Sequence, residues 1–64
     1  MRIDQAKATV RAALGAFTGV VFESIERVMD ETEFWTGTAR IPDGRRYDFT
    51  VDCDSGTVGM ELAV

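Results

Sequence analysis

The side chains that could do chemistry are concentrated in one short segment, Asp52-Cys53-Asp54-Ser55-Gly56. Cys53 is the only cysteine, and the chain has no histidine. The most common general base is therefore missing, and no histidine-containing triad can form. Carboxylates on both sides of Cys53 would raise the pKa of its thiol and make it less reactive. We interpret Cys53 as a structural residue and expect no enzyme activity.

The same segment resembles the start of a calcium loop, because two aspartates alternate before a glycine. An EF-hand places glycine at position six and glutamate at position twelve, whereas Gly56 and Glu61 stand at five and ten. We expect instead a hairpin turn whose aspartates accept hydrogen bonds from local amides. With one cysteine and no histidine, neither an internal disulfide nor a structural zinc site is expected. The acidic run at residues 30–33 is interpreted as a solvated turn, so no metal or other cofactor is predicted.

Two runs of alternating apolar residues flank this turn and predict strands over residues 46–53 and 57–64. The apolar positions share one face of the hairpin: Tyr47, Phe49, Val51 and Cys53 before the turn, and Val58, Met60, Leu62 and Val64 after it. A further strand is predicted over residues 34–41, with Trp35, Ala39 and Ile41 on one face and Phe34, Thr36, Thr38 and Arg40 on the other. Gly37 shares the face of Trp35, where a missing side chain makes room for a neighbouring ring.

The first part of the chain predicts a helix over residues 4–17, because apolar residues recur at steps of three and four. These residues are Ile3, Ala6, Val10, Ala13, Leu14 and Phe17. Asp4 is expected to cap the first turn, and Gly19 to end the helix in a left-handed conformation. Residues 20–30 fit either a helix or a strand, and the β-branched pair after a glycine favours the strand.

The predicted fold class is α+β, with one N-terminal helix packed on an antiparallel meander sheet of three or four strands. Residues 1–64 form one small domain. The predicted core contains Val10, Leu14, Phe17, Trp35, Ile41, Tyr47, Phe49, Val51, Val58, Met60 and Leu62. A domain of this size buries only about 60% of its unfolded surface, so self-association as a homodimer is one source of added stability.

The formal net charge of -4 argues against nucleic acid and anionic membranes as partners. The pair Arg45-Arg46 is too short for a binding stripe and is interpreted as solvated turn residues. No apolar run approaches the about 18 residues that span a bilayer. The first residues contain no apolar signal core, so we expect a cytoplasmic protein unless a leader has been removed.

The backbone edge of the last strand is the candidate site for a protein or extended peptide, since no proline or lysine blunts it. A hidden or frayed edge is the alternative. The candidate edge residues are Thr57, Gly59, Met60, Glu61, Leu62, Ala63 and Val64.

Three segments resemble the PepSY family: residues 3–6 (IDQA), 44–52 (GRRYDFTVD) and 54–58 (DSGTV). The resemblance implies a helix with an antiparallel sheet. It also implies peptidase-propeptide, inhibitory or protein-binding roles, usually outside the cytoplasm. A weaker resemblance, to the gas vesicle protein O family, is based on Thr18-Gly19, the tryptophan strand, and residues 40–43 and 47–54. The leading hypothesis is thus a non-catalytic interaction module with peptidase-inhibitory or regulatory function. The alternative is an accessory structural subunit of a larger assembly such as a gas vesicle.

Overall fold

The computed structural model describes residues 1–15 and 18–63 and contains one helix and a four-stranded sheet. Helix α1 (Ile3–Leu14) is followed by strands β1 (Val21–Met29), β2 (Glu33–Arg40), β3 (Arg46–Asp52) and β4 (Val58–Ala63). The strands form an antiparallel meander in the order β1-β2-β3-β4. The predicted α+β class is confirmed with four strands, and residues 20–30 are a strand. No helix in the described part of the chain is long and apolar enough to cross a membrane.

Helix α1 begins and ends at different residues from those predicted. Its N-cap is Arg2, whose backbone N–H donates to Oε1 of Gln5 at 2.9 Å. Asp4 lies within the first turn and does not cap it. Gly15 ends the helix in the left-handed region, with φ of 69°, so the prediction that Gly19 ends it was wrong. Phe17, the last residue of the predicted helix, lies outside the described residues.

A bulge in β1 explains which residues of that strand face the helix. The pairing with β2 shifts between Phe22 and Ser24, so Glu23 is the extra residue. Phe22 and Ile25 consequently pack against the core, whereas Val28 pairs with Phe34 of the opposite face. A strand without a bulge would have kept Phe22 and Val28 on one face, as the alternation of the sequence suggested.

Gly37 faces this bulge, and the expectation that it makes room for an aromatic ring was wrong. A Cβ at Gly37 would overlap the backbone carbonyl oxygen of Ser24 and lie 2.9 Å from Cα of Ile25. The backbone of β1 therefore fills the space that a side chain would take. Gly37 is required because the bulge brings two main chains unusually close.

The core lies between α1 and the inner face of the sheet. Its fully buried residues are Ala6, Val10, Ala39, Phe49 and Val51. Trp35, Val58 and Met60 pack around them, half-buried. Phe22 meets Phe49 edge to face, with ring centroids 5.8 Å apart, a geometry that stabilises aromatic pairs.

The side chains of Lys7 and Arg11 link α1 to the first strand through the ring of Phe22. Nζ of Lys7 and Cζ of Arg11 lie 5.5 and 5.3 Å from the ring centroid of Phe22, within the range of cation–π attraction. The helix also packs against β3 and β4. It nevertheless leaves Leu62, a predicted core residue, 55% exposed.

Candidate interaction edge

Strand β4 is one of the two outer strands of the sheet, as the candidate site requires. Among the described residues only β3 pairs with it, from Val51 opposite Val58 to Arg46 opposite Ala63. The predicted edge residues 59–63 lie within β4, and Thr57 immediately precedes it. Val64 lies outside the described residues.

The main-chain groups of β4 alternate between β3 and the free edge. Asp52 N–H donates to Thr57 O at 2.9 Å, which makes these opposed residues a hydrogen-bonded pair. Because such pairs alternate along an antiparallel ladder, residues 59, 61 and 63 direct their N–H and C=O groups to β3. Val58, Met60 and Leu62 direct theirs away from β3, to the free edge. The candidate residues therefore divide into two sets, and Val58, which the sequence reasoning left out, belongs to the set that faces outward.

The side chains of β4 leave this edge accessible. Glu61 is the only charged residue in the strand, and neither lysine nor proline occurs in it. Leu62 presents an apolar side chain that is 55% exposed. Gly59 has no atom within 4 Å of the position a Cβ would take. Although β4 is the shortest strand, with six residues, an edge with one charge and no proline or lysine is a template for pairing with another strand.

Strand β1, at the opposite edge, carries two features that oppose pairing. Its bulge interrupts the regular ladder at Glu23, and Glu23, Glu26 and Arg27 are all exposed. Bulges and charges are the usual means by which proteins protect an edge strand. The exposed apolar residue Met29 is the last residue of β1 and lies beside the turn at residues 30–32, away from the middle of this edge. Of the two edges, β4 carries fewer of the features that protect an edge strand.

The turn that leads into β4 is acidic and internally bonded. The carboxylate of Asp52 accepts N–H groups from Asp54 at 2.8 Å and from Ser55 at 3.0 Å. These bonds lower the pKa of Asp52. The predicted hairpin turn is confirmed, and of its two aspartates Asp52 accepts the local amides. No three Asp, Glu or Cys side chains of the described residues come together as metal ligands.

Cys53 is half-buried in this turn, and the pKa of its thiol is raised. The main cause is burial, followed by the carboxylate of Glu33, the residue whose carbonyl accepts the Cys53 N–H at 3.0 Å. The predicted direction is confirmed, but Glu33 contributes more than the flanking Asp52, on which the sequence argument relied. A raised pKa makes the thiolate scarce at neutral pH and the cysteine a poor nucleophile.

The opposite end of β4 lies beside a basic groove that the sequence did not indicate. The groove is lined by Arg40, Gly44, Arg45, Arg46, Leu62 and Ala63. Arg46 forms a 2.8 Å ion pair with Glu23, and Arg45 forms a 2.6 Å pair with Asp43. The three arginines come from β2, the β2–β3 turn and β3, so only the meander brings them together. Strand β4 therefore runs from an acidic turn to a basic groove.

The outer face of the sheet offers less to a partner than this edge does. Its centre is polar, and several of its groups already have partners. Thr36 Oγ1 donates to Phe49 O, and Thr38 Oγ1 donates to Asp48 Oδ1, both at 3.1 Å. Shallow depressions on either side of Asp48 are lined mainly by threonine, serine, glycine and acidic residues. The centre of this face therefore lacks the apolar anchors that dominate the binding energy of protein interfaces, and its apolar pair, Val28 and Phe34, is half-buried at the end near the β1–β2 turn.

Comparison with known proteins identifies a family. The sequence model of the family described as "Peptidase propeptide and YPEB domain" matches residues 2–58 of this chain. The match covers α1, β1, β2, β3 and the first residue of β4. No curated protein and no solved structure matches the chain significantly.

Proposed function

Because this chain belongs to the PepSY family, the peptidase propeptide and YPEB domain, we propose that it is a non-catalytic protein-interaction module. It acts as a peptidase-propeptide-like regulator or inhibitor by pairing β4 with an extended strand of its partner. The observation that carries this proposal is the row of outward main-chain groups at Val58, Met60 and Leu62. A strand added there gains several hydrogen bonds at once.

The contrast between the two edges also supports this proposal. A bulge and three charged residues protect β1, whereas β4 carries one charge, an exposed Leu62 and no irregularity of pairing. Main-chain bonds supply affinity in strand addition, and alternate side chains supply specificity. Leu62 is the apolar anchor on the inner face, and Glu61 is the charged position on the outer face. The accessory-subunit alternative stays a prediction, because the family match does not bear on it.

Substitution of Met60 by proline is the test of the edge. Proline lacks an N–H group, and the N–H of Met60 points away from β3, so the substitution removes an edge donor without breaking the β3–β4 ladder. We expect Met60→Pro to weaken capture of the partner about tenfold or more, since one lost bond and a steric block together exceed 1.4 kcal/mol. The measurement is capture by the tagged protein in native lysate that also contains untagged chain.

Arg27→Pro on β1 is the matched control. Arg27 opposes Trp35, whose main-chain groups bond to β3, so the N–H of Arg27 also points to a free edge. Both variants should unfold cooperatively, Met60→Pro at a lower Tm because the side chain of Met60 also packs against the core, and capture is compared below both unfolding transitions. Wild type and Arg27→Pro should capture the same partner, whether another protein or the untagged chain. Equal capture by Met60→Pro would contradict a β4 site, and capture of neither kind of partner by the wild type would contradict the proposed function.

A further inference from the structure

We propose that the strand which pairs with β4 is β4 of a second copy of this chain. This inference rests on the proposed function and names the partner of the same edge. The two strands run antiparallel about a twofold axis perpendicular to the sheet, with Met60 opposite Met60 of the second copy. The result is one continuous sheet of eight strands with both helices on the same side.

The register follows from which residues face the edge. Of the β4 residues that the structure describes, Val58, Met60 and Leu62 direct main-chain groups outward, so a self-paired ladder forms its hydrogen bonds among these positions. With Met60 at the axis, Leu62 lies opposite Val58 of the second copy. Both side chains are on the inner face, so the exposed Leu62 gains an apolar neighbour. This pairing occurs twice in a symmetric interface.

The outer face of β4 selects the same register. With Met60 at the axis, Glu61 lies opposite Gly59 of the second copy, and no like charges meet. If the register shifts so that Met60 lies opposite Leu62 of the second copy, Glu61 lies opposite Glu61 of that copy, and two like charges directly opposed are destabilising. If the register shifts so that Met60 lies opposite Val58 of the second copy, Leu62 lies opposite Gly56 of that copy. Gly56 lies before β4 and offers no side chain. Of the neighbouring registers, only the one centred on Met60 avoids both penalties.

The charges at the two ends of β4 complement each other in an antiparallel pair. The strand begins at the turn that contains Asp52 and Asp54 and ends at the groove formed by Arg40, Arg45 and Arg46. These three guanidinium groups are paired with two carboxylates, Glu23 and Asp43, so the groove keeps one positive charge in excess. In the dimer, the acidic turn of each copy lies at the same end as the basic groove of the other. Complementary fields of this kind fix orientation and register. A parallel arrangement would instead place like charges side by side.

Paired substitutions at Gly59 test this register. A Cβ fits there without strain, because no atom lies within 4 Å of its position and φ is not positive. Gly59→Glu places a carboxylate opposite Glu61 of the second copy at two symmetric positions, and Gly59→Lys places an ammonium there. We expect Gly59→Glu to weaken dimerisation about tenfold and Gly59→Lys to strengthen it or leave it unchanged.

The measurement is sedimentation equilibrium of the full chain over a range of concentrations and at low salt. The wild type should reach twice its monomer mass of 7.1 kDa. The dissociation constant of the dimer should be higher for Gly59→Glu than for Gly59→Lys. A wild type that stays monomeric at every concentration would overturn the dimer. Equal weakening by both variants would overturn the register. If β4-dependent capture of another protein accompanies a monomeric wild type, the proposed function stands and this inference fails.

Discussion

Gly37→Ala is expected to destabilise the domain more than any other single methyl addition to the sheet. The added carbon would overlap the carbonyl oxygen of Ser24 and lie 2.7 Å from its carbonyl carbon. These atoms belong to the backbone of the β1 bulge, which cannot rotate away as a side chain could. Overpacking costs about 1–3 kcal/mol, and occasionally more. A chain of 64 residues has a total stability of about 3–10 kcal/mol at 0.05–0.15 per residue.

Thermal unfolding measures this effect, because each kcal/mol shifts the Tm of a domain of this size by about 4–8 °C. We expect Gly37→Ala to lower Tm by at least that amount. Gly59→Ala is the matched control, since its Cβ would meet no atom within 4 Å, and its Tm should stay close to that of the wild type. An unchanged Tm for Gly37→Ala would mean that β1 does not approach β2 as closely as the bulge requires.

Phe49→Ala is expected to remove a large part of the free energy of unfolding of the domain. Phe49 is 2% exposed and is the largest fully buried side chain among residues 1–15 and 18–63. It lies in a central strand and packs edge to face against Phe22. Truncation of a buried phenylalanine costs about 3–5 kcal/mol, because it combines lost transfer energy with a cavity. That loss is comparable with the whole stability of a small domain, so a large unfolded fraction should be visible at 25 °C.

Phe34→Ala provides the comparison for Phe49→Ala. Phe34 lies on the outer face of the neighbouring strand and is half-buried. Urea unfolding followed by circular dichroism should give a clearly smaller loss for Phe34→Ala. If the two substitutions had equal effects, the core would not be centred between α1 and the inner face of the sheet.

The hairpin formed by β3 and β4 could be predicted from the sequence because its alternation is regular. Phe49 and Val51 are buried as expected, and the turn aspartate bonds to local amides. Burial at the end of β4 could not be predicted in this way. Leu62 continues the apolar alternation, but alternation identifies a face of the sheet and does not show how far the helix covers it.

Strand β1 and the ends of α1 illustrate what local patterns miss. A bulge inserts one residue and reverses every later side chain, so Ile25 faces the core and Val28 does not. The bulge is encoded jointly by β1 and by Gly37, which is twelve positions beyond Ile25 along the chain. Gly15 and Gly19 both adopt positive φ, and the sequence pattern did not identify the one that ends the helix.

The basic groove could not be predicted either, since it depends on tertiary structure. Arg40 and Arg46 are opposed across β2 and β3, and both approach Glu23 at the bulge, at 4.0 and 2.8 Å. In the sequence, Arg45-Arg46 is a short basic pair in an acidic chain. The register of the meander brings these arginines together beside the end of β4.

Amide hydrogen exchange, resolved residue by residue in β4, tests the pairing of this edge most directly. In the isolated chain at low concentration, the amides of Met60 and Leu62 should exchange fast, whereas those of Gly59 and Glu61 should be protected by their bonds to β3. When the edge is paired, at high concentration or with a bound partner, Met60 and Leu62 should become as protected as Gly59 and Glu61. Fast exchange at Met60 and Leu62 under conditions of demonstrated association would contradict strand pairing at β4.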